Sequence, residues 1–212
     1  TLLELFAISI AILVVTSAWH TFGTDTAHRS QAVIAGFTVV AVCDMLHVLS
    51  FPGMPAFLQA SSTNSTIFYW LMGRTAEAST IALITLSVAP KMPRGVSLLI
   101  GLVAAAAIAW FGMNHLARFP LTYIDGVGLT PFKVRFELGL STINALLAVV
   151  LWVQANRRGS RELALMSLSS LFTGLGGLAF ASYVTMSDIQ NLGGHAFKIA
   201  AYALLYRAIF IA

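Results

Sequence analysis

Four pairs of ionisable residues in this chain stand one helical turn apart. Asp44 and His47, Arg74 and Glu77, and His195 and Lys198 are separated by three positions, and Lys133 and Glu137 by four. On a helix, each of these spacings puts both members on one face. Glu4 adds a further carboxylate near the start. Several kinds of chemistry are open to such a set. His47 and His195, with carboxylates nearby, are candidate ligands of a divalent metal ion. The same two histidines on different helices are candidate axial ligands of a b-type haem. An imidazole among charges also switches protonation near neutral pH with no ligand at all. A small organic ligand is the remaining alternative. Catalysis is not indicated. There is no Gly-rich phosphate loop, no HExxH and no recognisable nucleophile turn, and "GVGLTP" is a lone glycine pair before a helix.

The elements that must position these groups follow from composition. The 212 residues are 58% hydrophobic and 9% charged, with a mean hydropathy of +0.85. Soluble domains carry about 25% charged residues, so this is an integral membrane protein and its medium is the lipid bilayer. Stretches of about 20 mostly apolar residues are needed to cross. Seven are read, at roughly 2–19, 31–51, 66–88, 95–114, 132–154, 162–184 and 194–211. The predicted fold is an all-α, polytopic transmembrane bundle in one domain, 1–212. Its apolar edges look like cuts in a longer polypeptide. Pro and Gly cluster between the spans, in "FPGMPAFLQASSTNS", "APKMPRG" and "TMSDIQNLGG". Cys43 is the single cysteine and lies inside an apolar run. An intrachain disulfide is excluded.

Loop charge sets orientation. Arg29, Lys91, Arg94, Arg157, Arg158, Arg161 and Arg207 fall on one side, accompanied only by Asp25 and Glu162 among the acids. That side is expected to be cytoplasmic, which puts the C-terminus inside. The pI near 9.6 therefore reflects loop charge and gives no reason to expect a nucleic-acid partner. With this topology Glu4, Asp44, His47, Arg74, Glu77, Lys133, Glu137, His195 and Lys198 all fall in the outer half of their helices. His115 closes the fourth span at the same level.

Ionisable groups in hydrocarbon cost about 2.5–3.5 kcal/mol each even on the lenient scale. They should face inward and pair. Glu4, Asp44, Glu77 and Glu137 offset Arg74, Lys133 and Lys198, which leaves His47 and His195 to tune or to bind. A single buried ion pair serves packing; a set converging at one depth points to a site. The expected arrangement is one polar chamber, open or nearly open to the outside. Trp70, beside Tyr69, reads as part of an interfacial aromatic belt. Ser170, Gly174, Gly177 and Ala181 form a small-residue face for close helix packing. His20 and His28 read as solvated, Met54 and Met113 as packing residues, and "NST" at 64–66 matches a glycosylation sequon.

Six segments taken in order, "LLELF", "DMLHVLSFPGM", "FYWLMGRTAEA", "GLTPFKVRFE", "LAFASYV" and "GGHAFKIAAYALLYRAI", resemble the signature segments of the third family of bacterial membrane-associated sensor domains. The resemblance spans the whole chain. It implies an N-terminal membrane input to a histidine kinase, a diguanylate cyclase or a related cytoplasmic output in the same polypeptide. It also implies a homodimer in the bacterial inner membrane. Carried onto this sequence, the matching positions are Glu4, Asp44, His47, Gly53, Trp70, Arg74, Gly128, Thr130, Pro131, Phe132, Lys133, Glu137, Tyr183, His195, Lys198 and Tyr206. The family pattern begins one helix earlier, which implies eight spans in the full domain. It also tends to carry an acid before "LAF", where this chain has Gly177.

The reading is a sensory input domain. A ligand, metal ion, or redox or proton state alters the outer chamber through Glu4, Asp44, His47, Trp70, Arg74, Glu77, Lys133, Glu137, His195 and Lys198. The last helix then carries the change to the output domain. Two alternatives stand beside it. A transporter or proton conductor needs a polar path through both leaflets, and a haem-binding membrane cytochrome usually shows histidine pairs at two depths.

Overall fold

The computed structural model of the chain describes residues 2–20, 27–57, 60–88, 91–182 and 189–211, without the side chains of residues 27, 28 and 211. Tyr183, Asp25 and the side chain of His28 lie outside the described residues. Within them, seven helices run α1 Leu2–His20, α2 Ala27–Leu49, α3 Thr63–Thr85, α4 Arg94–Asn114, α5 Pro131–Arg158, α6 Arg161–Ser182 and α7 Ile189–Ile211. These match the seven expected spans. A short 3-10 turn, Leu116–Arg118, and a small antiparallel hairpin, β1 Tyr123–Ile124 and β2 Gly128–Leu129, link α4 to α5.

Five helices, α1, α2, α4, α5 and α6, are long and apolar enough to cross a membrane on length and composition alone. The other two, α3 and α7, are 23 residues each. They carry Arg74 and Glu77, and His195 and Lys198, which lower their mean hydropathy.

The helices close into a ring. α1 packs on α2 and α7, α7 on α6, α6 on α5, α5 on α3, and α3 on α2. α4 lies outside the ring against α2 and, more lightly, α3. Lipid is as apolar as a leucine side chain, so burying leucines does not by itself hold such helices together. Close packing and interhelical hydrogen bonds do. Both are present. A Cβ on Gly36 of α2 would run into Thr80 Oγ1 of α3, and one on Gly101 of α4 would meet the Ala35 carbonyl of α2. The small face of α6 behaves as expected. Ser170 Oγ donates to the Asn144 carbonyl at 2.9 Å and Ser167 Oγ to the Ala148 carbonyl at 2.7 Å, and Gly174 sits on the backbone of Ser141. On its other side, Ser169 Oγ donates to the Ala201 carbonyl of α7 at 2.7 Å.

Interior chemistry changes along the bundle. At the end carrying Arg29, Lys91 and Arg94, the ring is filled by an apolar cluster including Val14, Phe37, Ile81, Leu151, Leu163 and Leu205. Arg29 of α2 pairs there with Glu162 of α6 at 3.0 Å. At the opposite end the interior is polar.

Local signals fix where the polar side chains fall. Ser62 caps α3, its side chain accepting from Ser65 N at 3.1 Å. Thr130 caps α5, accepting from Lys133 N at 3.3 Å, and Pro131 supplies the first helical residue. Lys133 and Glu137 therefore lie one and two turns into α5. Gly159, at φ 60°, ends that helix in the left-handed conformation.

Candidate functional site

All ten predicted site residues converge at the polar end. Glu4 enters from α1, Asp44 and His47 from α2, Trp70, Arg74 and Glu77 from α3, Lys133 and Glu137 from α5, and His195 and Lys198 from α7. The seven charged ones are almost completely removed from solvent, and Asp44 is 0% exposed.

Their contacts form two linked groups. In the first, Arg74 Nη2 donates to Asp44 at 3.0 and 3.3 Å, while Nη1 donates to Glu77. Lys198 Nζ bridges Glu4 Oε2 at 2.7 Å and Asp44 Oδ2 at 3.1 Å. His195 Nδ1 lies 2.6 Å from Glu4 Oε1, and His47 Nε2 lies 4.0 Å from the same oxygen. The other nitrogen of His47, Nδ1, meets the Thr66 carbonyl at 2.8 Å. In the second group Lys133 pairs with Glu137 at 3.3 Å and donates to the Phe180 carbonyl.

Trp70 joins the two groups. Its Nε1–H donates to Glu137 Oε1 at 2.8 Å, and Arg74 and Lys198 each sit 4.8 Å from its ring centroid. A desolvated cation over an indole is worth about 2 kcal/mol. The aromatic-belt expectation for Trp70 is therefore corrected. It lies four positions before Arg74 on the inward face of α3 and is 5% exposed. Tyr69 is buried too, against α4 at Gly112.

Three residues that the sequence reading missed complete the first group. The Tyr202 hydroxyl donates to Asp44 Oδ2 at 3.1 Å and receives Arg74 Nη2. Thr173 Oγ1 donates to Glu77 Oε1 at 2.8 Å. The Phe180 ring packs on Trp70 and His195, with centroids 4.4 and 5.0 Å away. Tyr202 carried a signal, since it lies four positions past Lys198 and seven past His195. Thr173, in an apolar stretch of α6, carried none.

Other predicted positions are elsewhere. Gly53, at φ 91°, and Gly128, at φ 103°, occupy left-handed turns. Phe132 packs between Phe119 and Phe136. Tyr206 stacks on Phe210 away from the site. His115 caps α4 and packs on Trp110 and Phe111. Asn64 of the sequon is committed to the hairpin. It accepts from the backbone N–H groups of Thr122 and Tyr123 at 2.9 and 3.0 Å, and donates to the Tyr123 carbonyl at 3.1 Å.

The expected open chamber is corrected as well, because side chains fill it. Among the described residues, two small cavities flank the Trp70–Phe180 contact. The outer one, about 30 Å³, is lined by His47, Thr66, Lys133, Asn191 and His195. The inner one, about 20 Å³, is lined by Arg74, Glu137, Ser141, Asn144, Thr173 and Lys198. A water needs about 10–15 Å³ by this measure. An organic ligand takes a pocket of about 300–1,000 Å³.

These dimensions test the cofactor candidates. Haem does not fit between His47 and His195: both imidazoles present a nitrogen to Glu4 Oε1, both rings pack on Trp70 with centroids 5.4 and 6.0 Å away, and the cavity they share is about 30 Å³. Among the described residues no three His, Cys, Asp or Glu groups are placed to hold a metal ion. Both imidazoles turn toward Glu4, which already carries the Lys198 ammonium, and that ammonium repels a dication. A family model described as MASE3, a membrane-associated sensor domain, matches residues 1–212. No curated protein and no solved structure matches the chain.

Proposed function

This chain belongs to the MASE3 family of membrane-associated sensor domains, and on that premise we propose that it senses the protonation state of its buried ionic network. The family is one of sensor domains and not of catalysts. In this proposal the chain is the multi-pass input of a bacterial inner-membrane protein, with its polar end outward and its C-terminus cytoplasmic. It reports through α7 to an output domain, a kinase or cyclase, in a homodimer.

One observation carries the reading. His195, Lys198 and Tyr202 lie on one face of α7 and tie it to Glu4 of α1, Asp44 of α2 and Arg74 of α3. A change in that network is therefore a change in what holds α7.

Charge counting favours a proton as the signal. The first group holds three carboxylates, Glu4, Asp44 and Glu77, against two permanent cations, Arg74 and Lys198. An enclosed excess negative charge is expensive. One further proton balances it, and the Glu4–His195 contact is the place for it. Around His195 stand Glu4 from α1 at 2.6 Å, the Trp70 ring from α3, and, across the shared cavity, His47 from α2 and Lys133 from α5; Lys198 lies one turn on along α7 and holds the other Glu4 oxygen. From α6 comes the Phe180 ring, its centroid 5.0 Å from the imidazole. The two small cavities suit water and protons better than an organic molecule. The transporter alternative finds no support, because the apolar cluster fills the ring beyond the network.

The test uses Trp70 as reporter, because protonated imidazoles quench indole fluorescence and both histidines face its ring. In proteoliposomes, the emission difference between wild type and Trp70→Phe is followed while external pH steps between about 5 and 8, the range in which histidine titrates. A transition that His195→Gln abolishes and His20→Gln preserves is expected. An unchanged transition in His195→Gln overturns the proposal.

A further inference from the structure

A third, larger cavity lies apart from the ionic network. Its volume is about 350 Å³, and its walls come from α2 (Ala32, Ala35, Val39), α3 (Ala76, Leu83) and α4 (Ile100). It results from the way α3 and α4 diverge. They touch near one end, where Tyr69 meets Gly112 and its hydroxyl points to the Ala109 carbonyl at 3.4 Å. Toward Leu83 and Ile100 they splay apart. α4 stands outside the ring, so this wedge faces the bilayer and not the ring interior.

The lining is almost wholly apolar and its wide end is basic. Gln31 Oε1 accepts from Met92 N at 3.0 Å, which holds Met92 at the mouth. On either side of Met92 stand the exposed Lys91 and Arg94. Residues 86–101 contain no acid. Gln31 and Val39 mark the depth. Eight helical residues at 1.5 Å each make about 12 Å, the reach of the first half of a fatty-acyl chain. Juxtamembrane Lys and Arg attract anionic headgroups.

We propose that this wedge is a binding site for one acyl chain of an anionic phospholipid, whose phosphate is held by Lys91 and Arg94. The lipid braces α2 against α3 within two turns of the Arg74–Asp44 bridge. It thereby couples the lipid composition of that leaflet to the ionic network. The inference stands apart from the proton-sensing proposal and survives its failure.

The experiment is photocrosslinking in nanodiscs. Phosphatidylglycerol or phosphatidylcholine with a diazirine on the acyl chain is incorporated, illuminated, and mapped onto the protein by mass spectrometry. With phosphatidylglycerol, label is expected to concentrate on Val39, Ala76, Leu83 and Ile100. Ala104 lies one turn past Ile100 on the same wall; Ala104→Trp, which fills the wedge, is expected to reduce that labelling about tenfold, equivalent to about 1.4 kcal/mol. Lys91→Gln combined with Arg94→Gln changes exposed residues only, and is expected to erase the preference for phosphatidylglycerol. Label spread evenly over outward residues such as Leu146, Val149 and Trp152 overturns the site. Equal labelling by the two lipids in the wild type overturns the anionic headgroup.

Discussion

Replacing Arg74 with methionine is the sharpest test of how the ionic network holds the bundle. Methionine keeps the length and stacking bulk of the side chain and removes its charge. In the native state Arg74 is 6% exposed and its two terminal nitrogens serve Asp44, Glu77 and Tyr202. Without it, Lys198 is the one permanent cation left to the three carboxylates of that group. Breaking a buried pair by removing one partner costs about 3–5 kcal/mol, because the other charge stays buried and uncompensated. Arg74 compensates two, so the upper part of that range is expected. Glu77→Gln in the same protein removes one of the stranded charges, while the amide still accepts from Thr173. The double variant should therefore lose less than the sum of the two singles, with a coupling of about 1–3 kcal/mol. Unfolding in mixed micelles by rising SDS fraction, followed by helical circular dichroism, gives the four free energies of the cycle. A loss below about 1 kcal/mol for Arg74→Met, or additivity within about 0.5 kcal/mol, refutes the reasoning. The pairs would then be tolerated by the fold without holding it.

Two further perturbations probe the parts that support the site. Gly36→Val places a branched side chain on Thr80 Oγ1 and is expected to cost about 1–3 kcal/mol as overpacking; in the same SDS assay Gly36→Ala should be rescued by Thr80→Gly and only in part by Thr80→Ala, whose own Cβ stays 2.9 Å from the added methyl. Asn64→Ala deletes the hydrogen bonds that moor the α4–α5 hairpin to α3, so trypsin cleavage at the exposed Arg118 is expected to accelerate while the unfolding midpoint of the bundle barely moves.

Much of this arrangement was legible because hydrocarbon makes charge placement strict. An arginine, two lysines and four carboxylates on apolar helices have few tolerable solutions, and spacing of three or four residues fixes their faces. The pairing of Lys133 with Glu137 and of Arg74 with Glu77 follows from that alone. Trp70 was misread because belt and core aromatics have the same composition. Its position four residues before Arg74 was the better guide, since the two must share a face. The filled chamber was not legible. How far a ring of helices closes depends on contacts such as that of Gly177 in α6 with Ser141 Oγ and Glu137 in α5, and sequence spacing does not encode the distance between helices. The wedge between α3 and α4 was hidden for the same reason, because a void has no residue to mark it.

The two ends of α7 are held by different physics, and that difference bears on signalling. At the polar end its contacts are short and directional, so they are kept or lost in discrete steps. Beyond Tyr202 its buried face consists of Leu205, Ala208 and Ile209, whose packing tolerates sliding more readily than a lysine tolerates losing its carboxylates. A helix of 23 residues is about 34 Å long at 1.5 Å per residue and moves as one body unless something breaks it. Residues 189–211 contain no proline, and the helix is continuous through Gly193 and Gly194. Under the proposed function, a change at Glu4 and His195 that releases the polar end would be relieved by displacement of the whole helix against its apolar neighbours. Packed interfaces settle in alternative positions and do not deform continuously. A proton gained or lost at one end would then be read at the other as a choice between two positions of α7.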